Sequence, residues 1–254
     1  MSKPARVFDC HMHSHHSPDS LCLMRELCEQ AAARGAELIT ITDHWDFDVT
    51  CEEYYKPQAY FDDLERTREA FAGRLTVLAG VEFSEPHLHQ ALLEDANSMP
   101  YDYILGSLHY WGFRGIYADD AIYAGPCYDA YWHELRRMVA YGGYDAVGHL
   151  DLPFRYLKVL EYEEDVVDEI FSLMQITGLV PEINTSSLRR GLNETMPNEA
   201  LLRRYAARGG KYVTLGSDAH HAEDVCAGLP EARALADRLG LKATYFQRRK
   251  QVIL

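Results

Sequence analysis

The stretch VFDCHMHSHHSPDS, residues 7–20, opens with an apolar, β-prone front and closes on a crowd of metal-ligand side chains. It holds four histidines and two aspartates in fourteen positions. Alternation along an extended chain sends Asp9, His11 and His13 to one side, where two imidazoles can share one ion. H-x-H alone is a weak signal, so its weight depends on whether other segments supply partners.

Six further segments repeat the design: ELITITDH (37–44), TVLAGVEFS (76–84), YDYILGSLHY (101–110), YDAVGHLDL (144–152), GLVPEINTSS (178–187) and KYVTLGSDAHH (211–221). Each is apolar in front and carries His, Asp, Glu or Asn behind. Helical spacing fills the gaps: Leu23, Leu27 and Ala31 before Gly35; Tyr128, Tyr131, Leu135 and Val139 before Gly142; Val166, Ile170 and Met174 before Gly178; Ala232, Leu235, Ala236 and Leu239 further on. Strands alternating with helices imply parallel pairing with helical crossovers. Seven such units in 254 residues suit a barrel as a single domain over 1–254. The polar clusters all fall at strand C-terminal ends, where such a barrel gathers its active site.

Composition narrows the function. Apolar residues make up 47% of the chain, enough for a sizeable core, and the net charge is −14. That charge argues against a nucleic-acid surface, which needs clustered Lys and Arg. An anionic substrate can still bind where metal ions supply positive charge. The six cysteines have no C-x-x-C spacing, and the expectation is reduced thiols in a cytoplasmic protein. No apolar run reaches the ~20 residues of a membrane span, no leader is visible, and no glycine-rich phosphate loop is present.

The strand-end residues Glu82, His44, His109, His149, Asp218 and His220 join His11 and His13 as candidate ligands. Burying so many ionisable groups without partners is costly. Mixed imidazole and carboxylate donors favour Zn, Mn or Fe over Mg or Ca. They outnumber the needs of one tetrahedral ion, so two or three divalent transition-metal ions are expected. A metal pair of this kind activates water for phosphate-ester hydrolysis.

The ordered set DCHMHSHHSPDS, TDH, GVEFS, GSLH, GHLD, EINTS and GSDAH resembles the polymerase-and-histidinol-phosphatase (PHP) family, and within it the branch that hydrolyses histidinol phosphate in histidine biosynthesis. The resemblance runs from Asp9 to His220. It implies an α/β fold, a distorted (β/α)7 TIM-like barrel, with a trinuclear metal centre. Carried over residue by residue, His11, His13, Glu82 and Asp218 hold one ion, and Glu82 bridges to a second completed by His109 and His149. Asp19, His44 and His220 hold the third; some relatives have His where this chain has Asp19. Asp9 is expected to orient a histidine from outside the ligand set, and Asp43 to face away.

The implied activity is release of phosphate from a small phosphorylated substrate, L-histidinol phosphate, by a metal-bridged hydroxide. Arg155 and Arg189 are the candidate phosphate ligands, since a guanidinium fork suits bidentate binding. Asp19 or His220 is the candidate proton donor to the leaving group, and Glu85 or Asp119 a candidate partner for the substrate amine. His15 and His16 are expected near the mouth, His87 and His89 at the surface or substrate rim, His133 in a structural role on its helix, His221 pointing away from His220, and Arg190 in solvent. A nucleotide phosphatase shares the same centre. An amidohydrolase barrel is disfavoured because no Lys stands at the end of LGSLHYW; a non-catalytic metal-binding module is disfavoured because every ligand position is filled.

Overall fold

The computed structural model describes residues 7–47, 54–111, 114–115 and 126–254. Asp119, the candidate partner for the substrate amine, and two of the six cysteines, Cys51 and Cys127, lie outside the residues whose side chains are described. Seven parallel strands form the barrel wall: β1 (Val7–Asp9), β2 (Ala36–Ile41), β3 (Thr76–Ser84), β4 (Tyr103–Ser107), β5 (Ala146–Val147), β6 (Val180–Asn184) and β7 (Tyr212–Gly216). Each pairs with the next in parallel.

Closure is made beyond the regular strands. Cys10 N donates to Leu215 O at 2.9 Å, Asp218 N to His11 O at 2.8 Å and His13 N to Ala219 O at 2.8 Å. The expected strand through His13 is therefore shorter, with His11 and His13 on an irregular extension bridged at Met12–Ala219. All residues of β3 but Thr76 are buried, as befits a parallel strand covered on both faces.

Nine helices occur among the described residues: α1 (Met24–Ala33), α2 (Pro57–Phe71), α3 (Gln90–Ser98), α4 (Pro126–Tyr141), α5 (Pro153–Leu157), α6 (Glu164–Thr177), α7 (Ser186–Arg189), α8 (Glu199–Ala207) and α9 (Leu229–Arg238). The apolar stripes pack inward as expected, with two shifts. Leu23 is exposed at the N-cap of α1 and Met24 takes its place in the core; in α6 Val167 is buried more fully than Val166. Gly178, at φ 78°, ends α6 in the left-handed backbone that glycine adopts freely.

One feature of the fold was not legible. β8 (Lys242–Gln247) and β9 (Lys250–Ile253) make an antiparallel hairpin attached to the start of β7. Its turn is Arg248–Arg249, at φ 51° and 61°. A two-residue turn of this hand favours Asn-Gly, so the sequence carries no turn signal here.

No helix among the described residues is long and apolar enough to cross a membrane. Cys10, Cys22, Cys28 and Cys226 are buried free thiols.

Candidate metal centre

The strand register builds the centre. The short segment His44–Trp45 pairs with β3 so that His44 stands beside Glu82. Glu82 is fully buried and serves as the hub. Its Oε2 lies 3.0 Å from His44 Nδ1, 3.3 Å from His11 Nε2 and 3.5 Å from His13 Nε2. Its Oε1 lies 2.9 Å from His149 Nε2 and 3.3 Å from His109 Nε2. One carboxylate thus faces two groups of imidazoles with different oxygens, as a bridging ligand must.

Asp218 Oδ1 completes the first group, 3.4 Å from His13 Nε2 and 3.7 Å from His11 Nε2. Asp19 Oδ2 lies 3.0 Å from His220 Nε2 and 3.5 Å from His44 Nε2. The His13 ring packs against both His44 and His220, with centroids 4.2 and 4.1 Å away. All nine sequence-derived ligand candidates therefore converge, although Asp19 is 40% exposed where the others are sheltered. His44 is more central than expected, since its Nδ1 also approaches Glu82.

Groups behind the ring fix the tautomers. His11 Nδ1 is 2.6 Å from Glu182 Oε1, so the neutral ring keeps its proton there and Nε2 carries a lone pair. Ser17 Oγ donates to Asp43 Oδ1 at 2.7 Å and so accepts from His13 Nδ1 at 3.1 Å, leaving His13 Nε2 with a lone pair too. The two Nε2 atoms are 2.9 Å apart. That spacing calls for a positive charge between the two rings: a proton on His11 when no metal is present, or a metal ion that both Nε2 atoms could share. His109 repeats the arrangement, with Nδ1 3.1 Å from Asp46 Oδ1 and Nε2 turned to Glu82. Both ring nitrogens of His44 are buried without a hydrogen-bond partner. These donors fit divalent metal ions, and His with carboxylate is the set that zinc accepts.

Burial pulls His11, His44 and His109 down, but Glu182, Asp46 and Glu82 outweigh it and hold all three above their ordinary value, His109 at about 10; without metal these rings carry the positive charge that bound ions would supply. Burial by itself raises the Glu82 carboxyl, but His11, His44 and His109 outweigh it and hold it well below its ordinary value. Asp218 is likewise raised by burial and lowered further by Arg155 and His11, to a net well below. Burial and the neighbouring His220 and His44 push His13 well below its usual value, so it is a neutral donor.

A cavity of about 400 Å³ opens onto the centre. Asp19, His44, Glu82, His109, His149, Asp218 and His220 line its polar side, with Leu152, Arg155, Tyr156, Arg190 and His221. Arg155, from α5, reaches Asp218 Oδ2 at 2.6 Å and Ser186 Oγ at 2.7 Å.

Several expectations need correction. Arg189 binds the carbonyls of Ser217 and Asp218 at 2.9 and 3.2 Å and pairs with Asp224 at 3.1 Å. Its guanidinium braces the β7 exit, whereas Arg190 lines the cavity. His221 lines it as well. Asp9 orients no imidazole. Its oxygens accept from the main-chain amides of Ser217, Cys226 and His11. Glu85 is buried, not at the rim, and accepts from His109 N. His87 pairs with Glu134, His89 stacks on Phe47, and His133 is exposed beside Glu163.

Sequence reasoning missed Glu182, Asp46 and the Asp43–Ser17 link. Glu182 lies in the EINTS motif, and its Oε2 also accepts from His149 N at 2.9 Å. Gly216 makes room for it, because a Cβ there would stand 2.1 Å from Glu182 Oε1 and 2.5 Å from His11 Cβ.

Comparison with known proteins gives four findings. A family model described as PHP domain matches residues 9–186. A probable histidinol-phosphatase of Clostridium acetobutylicum is 28% identical, covering 96% of this chain and 98% of the relative. A histidinol-phosphatase of Lactococcus lactis subsp. lactis is 27% identical over 92% of each chain. The crystal structure of histidinol phosphate phosphatase from Lactococcus lactis subsp. lactis, complexed with zinc, L-histidinol and phosphate, superposes with a TM-score of 0.87 at 26% identity. It covers 97% of this chain and 99% of that one.

Proposed function

The chain belongs to the PHP domain family, and on that premise we propose that it is a metal-dependent phosphomonoesterase acting on L-histidinol phosphate. The observation that carries this reading is Glu82, one buried carboxylate set between two groups of imidazole lone pairs beside an open cavity. Full-length similarity to proteins named histidinol-phosphatase, and to a structure titled with zinc, L-histidinol and phosphate, supports the substrate. The reading takes residues 1–254 as one PHP domain in the cytoplasm.

His11, His13, Glu82 and Asp218 would hold one ion, Glu82, His109 and His149 a second, and Asp19, His44 and His220 a third. When bound, these ions supply Lewis acidity toward phosphate oxygens and lower the pKa of water. The remaining work belongs to the chain. Glu182 and Asp46 hold His11 and His109 with their Nε2 atoms inward. Arg155, fixed against Asp218 and Ser186, presents positive charge where the phosphate of a substrate in the cavity would lie. Arg190 offers a second guanidinium from the cavity wall; Arg189 serves the phosphate indirectly, through its hold on the Ser217 and Asp218 carbonyls. With the third position unfilled, Asp19 and His220, 3.0 Å apart at the cavity, are the groups near enough to pass a proton to the departing alkoxide; with it filled, both would be committed to the ion.

The test is chelation followed by reconstitution with Zn²⁺ or Mn²⁺, with phosphate release measured on histidinol phosphate and on a panel of nucleotides and sugar phosphates. Release should vanish with the metal and return with it, and kcat/KM should be highest for histidinol phosphate. A preference for a nucleotide would replace the substrate assignment, and metal-independent turnover would refute the centre.

A further inference from the structure

We propose that His15, His16 and Asp63 form a separate site for one divalent transition-metal ion, outside the cluster built on Glu82. The two histidines come from the loop after β1 and the aspartate from α2. One ligand atom from each lies within 4.8 Å of the other two. Asp63 Oδ2 is 3.5 Å from His16 Nε2 and 3.9 Å from His15 Nε2. A charge-assisted hydrogen bond would close to about 2.7–2.9 Å. Two ligands sharing a tetrahedral zinc at about 2.0–2.1 Å stand about 3.4 Å apart. The 3.5 Å between Asp63 and His16 is the spacing of ligands around a shared ion, and His15, at 3.9 Å, stands slightly wider.

Three further observations agree. His16 Nε2 is buried and makes no hydrogen bond of good geometry, an expensive condition that a cation relieves. Arg66 takes only Oδ1 of Asp63, at 3.3 Å, and leaves Oδ2 to the histidines. Burial and His15 outweigh the carboxylates of Asp43 and Asp63 and push His16 below its ordinary value, so it offers a lone pair at neutral pH. Two imidazoles and one carboxylate leave a coordination position for water and suit zinc or ferrous iron. An ion here would tie the loop to α2. That loop also carries Ser17, which meets His13, and Asp19, which meets His44 and His220.

The inference does not depend on the hydrolytic reading, and its test counts ions. Wild type, His16→Ala and Asp63→Asn are stripped with chelator, dialysed against micromolar Zn²⁺, and assayed for zinc per chain by mass spectrometry. Thermal unfolding checks that each variant folds. Each variant should bind about one zinc fewer than wild type and keep the rest. In a His11→Ala background, which damages the main cluster, His16→Ala should still remove one more. Equal zinc content in wild type and both variants overturns the site. Loss of all zinc in both variants also overturns it, by making the three residues part of the main cluster's support. Should His16→Ala fail to fold, Asp63→Asn on the helix surface decides the question alone.

Discussion

At the strand starts, Asp102 and Asp145 are enclosed by fixed positive charge and main-chain donors. Asp102 accepts from Ala79 N and Arg68 Nη2, both at 3.0 Å, and from Arg248 N at 2.9 Å. Asp145 accepts from Ile104 N at 2.7 Å and Arg249 Nε at 2.6 Å. At the strand ends, Glu82 meets five imidazole nitrogens and no arginine among its ion pairs. Both regions hold sheltered acids, and Arg155 pairs with Asp218 at the strand ends, yet Glu82 itself has no fixed countercharge. Where arginine and amide close the shell, the acid is a strut. Where imidazole lone pairs face the acid, the shell is complete only with a cation.

This contrast can be broken by experiment. Glu82→Gln should have the largest effect, because it removes the charge shared by both groups of imidazoles. Metal content should fall, and phosphate release should drop by about 10³-fold, the equivalent of about 4 kcal/mol of transition-state stabilisation. Wild-type metal content and rate in that variant would erase the distinction between the two ends.

Glu182→Gln should act one step removed. It weakens the hold on His11 Nδ1, so metal affinity measured by competition with a chelator should fall about 10–100-fold. Refilling with excess metal should restore most of the activity. An affinity equal to wild type would show that Glu182 belongs with the struts.

Asp102→Ala sharpens the comparison from the other side. It leaves Ala79 N and Arg68 without their acceptor and should cost about 1–3 kcal/mol in denaturant unfolding. Metal content and kcat should stay at wild-type values. A loss of metal would mean that the two ends are coupled through the barrel wall.

Much of the site was legible because each ligand is a chemically distinctive residue behind an apolar run, and parallel strands deliver such residues to one end. His11, Glu82 and His220 could be named for that reason. Glu182 was harder to assign: it sits within its strand, and a carboxylate that supports a ligand has the same letter as one that binds the ion. Arg189 and Arg190 could not be told apart, since adjacent residues at the end of a short helix point in different directions and only packing selects the one that enters the cavity. The hairpin was missed because Arg248 and Arg249 adopt left-handed backbone that costs each about 1–2 kcal/mol. Their contacts with Asp102 and Asp145, more than a hundred residues away, hold them there.

The sequence by itself determined the strand–helix alternation, the number of barrel strands and the residue types able to ligate metal, because periodicity and side-chain chemistry are local properties. Tertiary structure alone decided which oxygen of Glu82 faces which histidine, which nitrogen each imidazole turns inward, and which arginine meets the cavity. Those outcomes depend on distances of a few ångströms between segments far apart in the chain, and no local pattern encodes them.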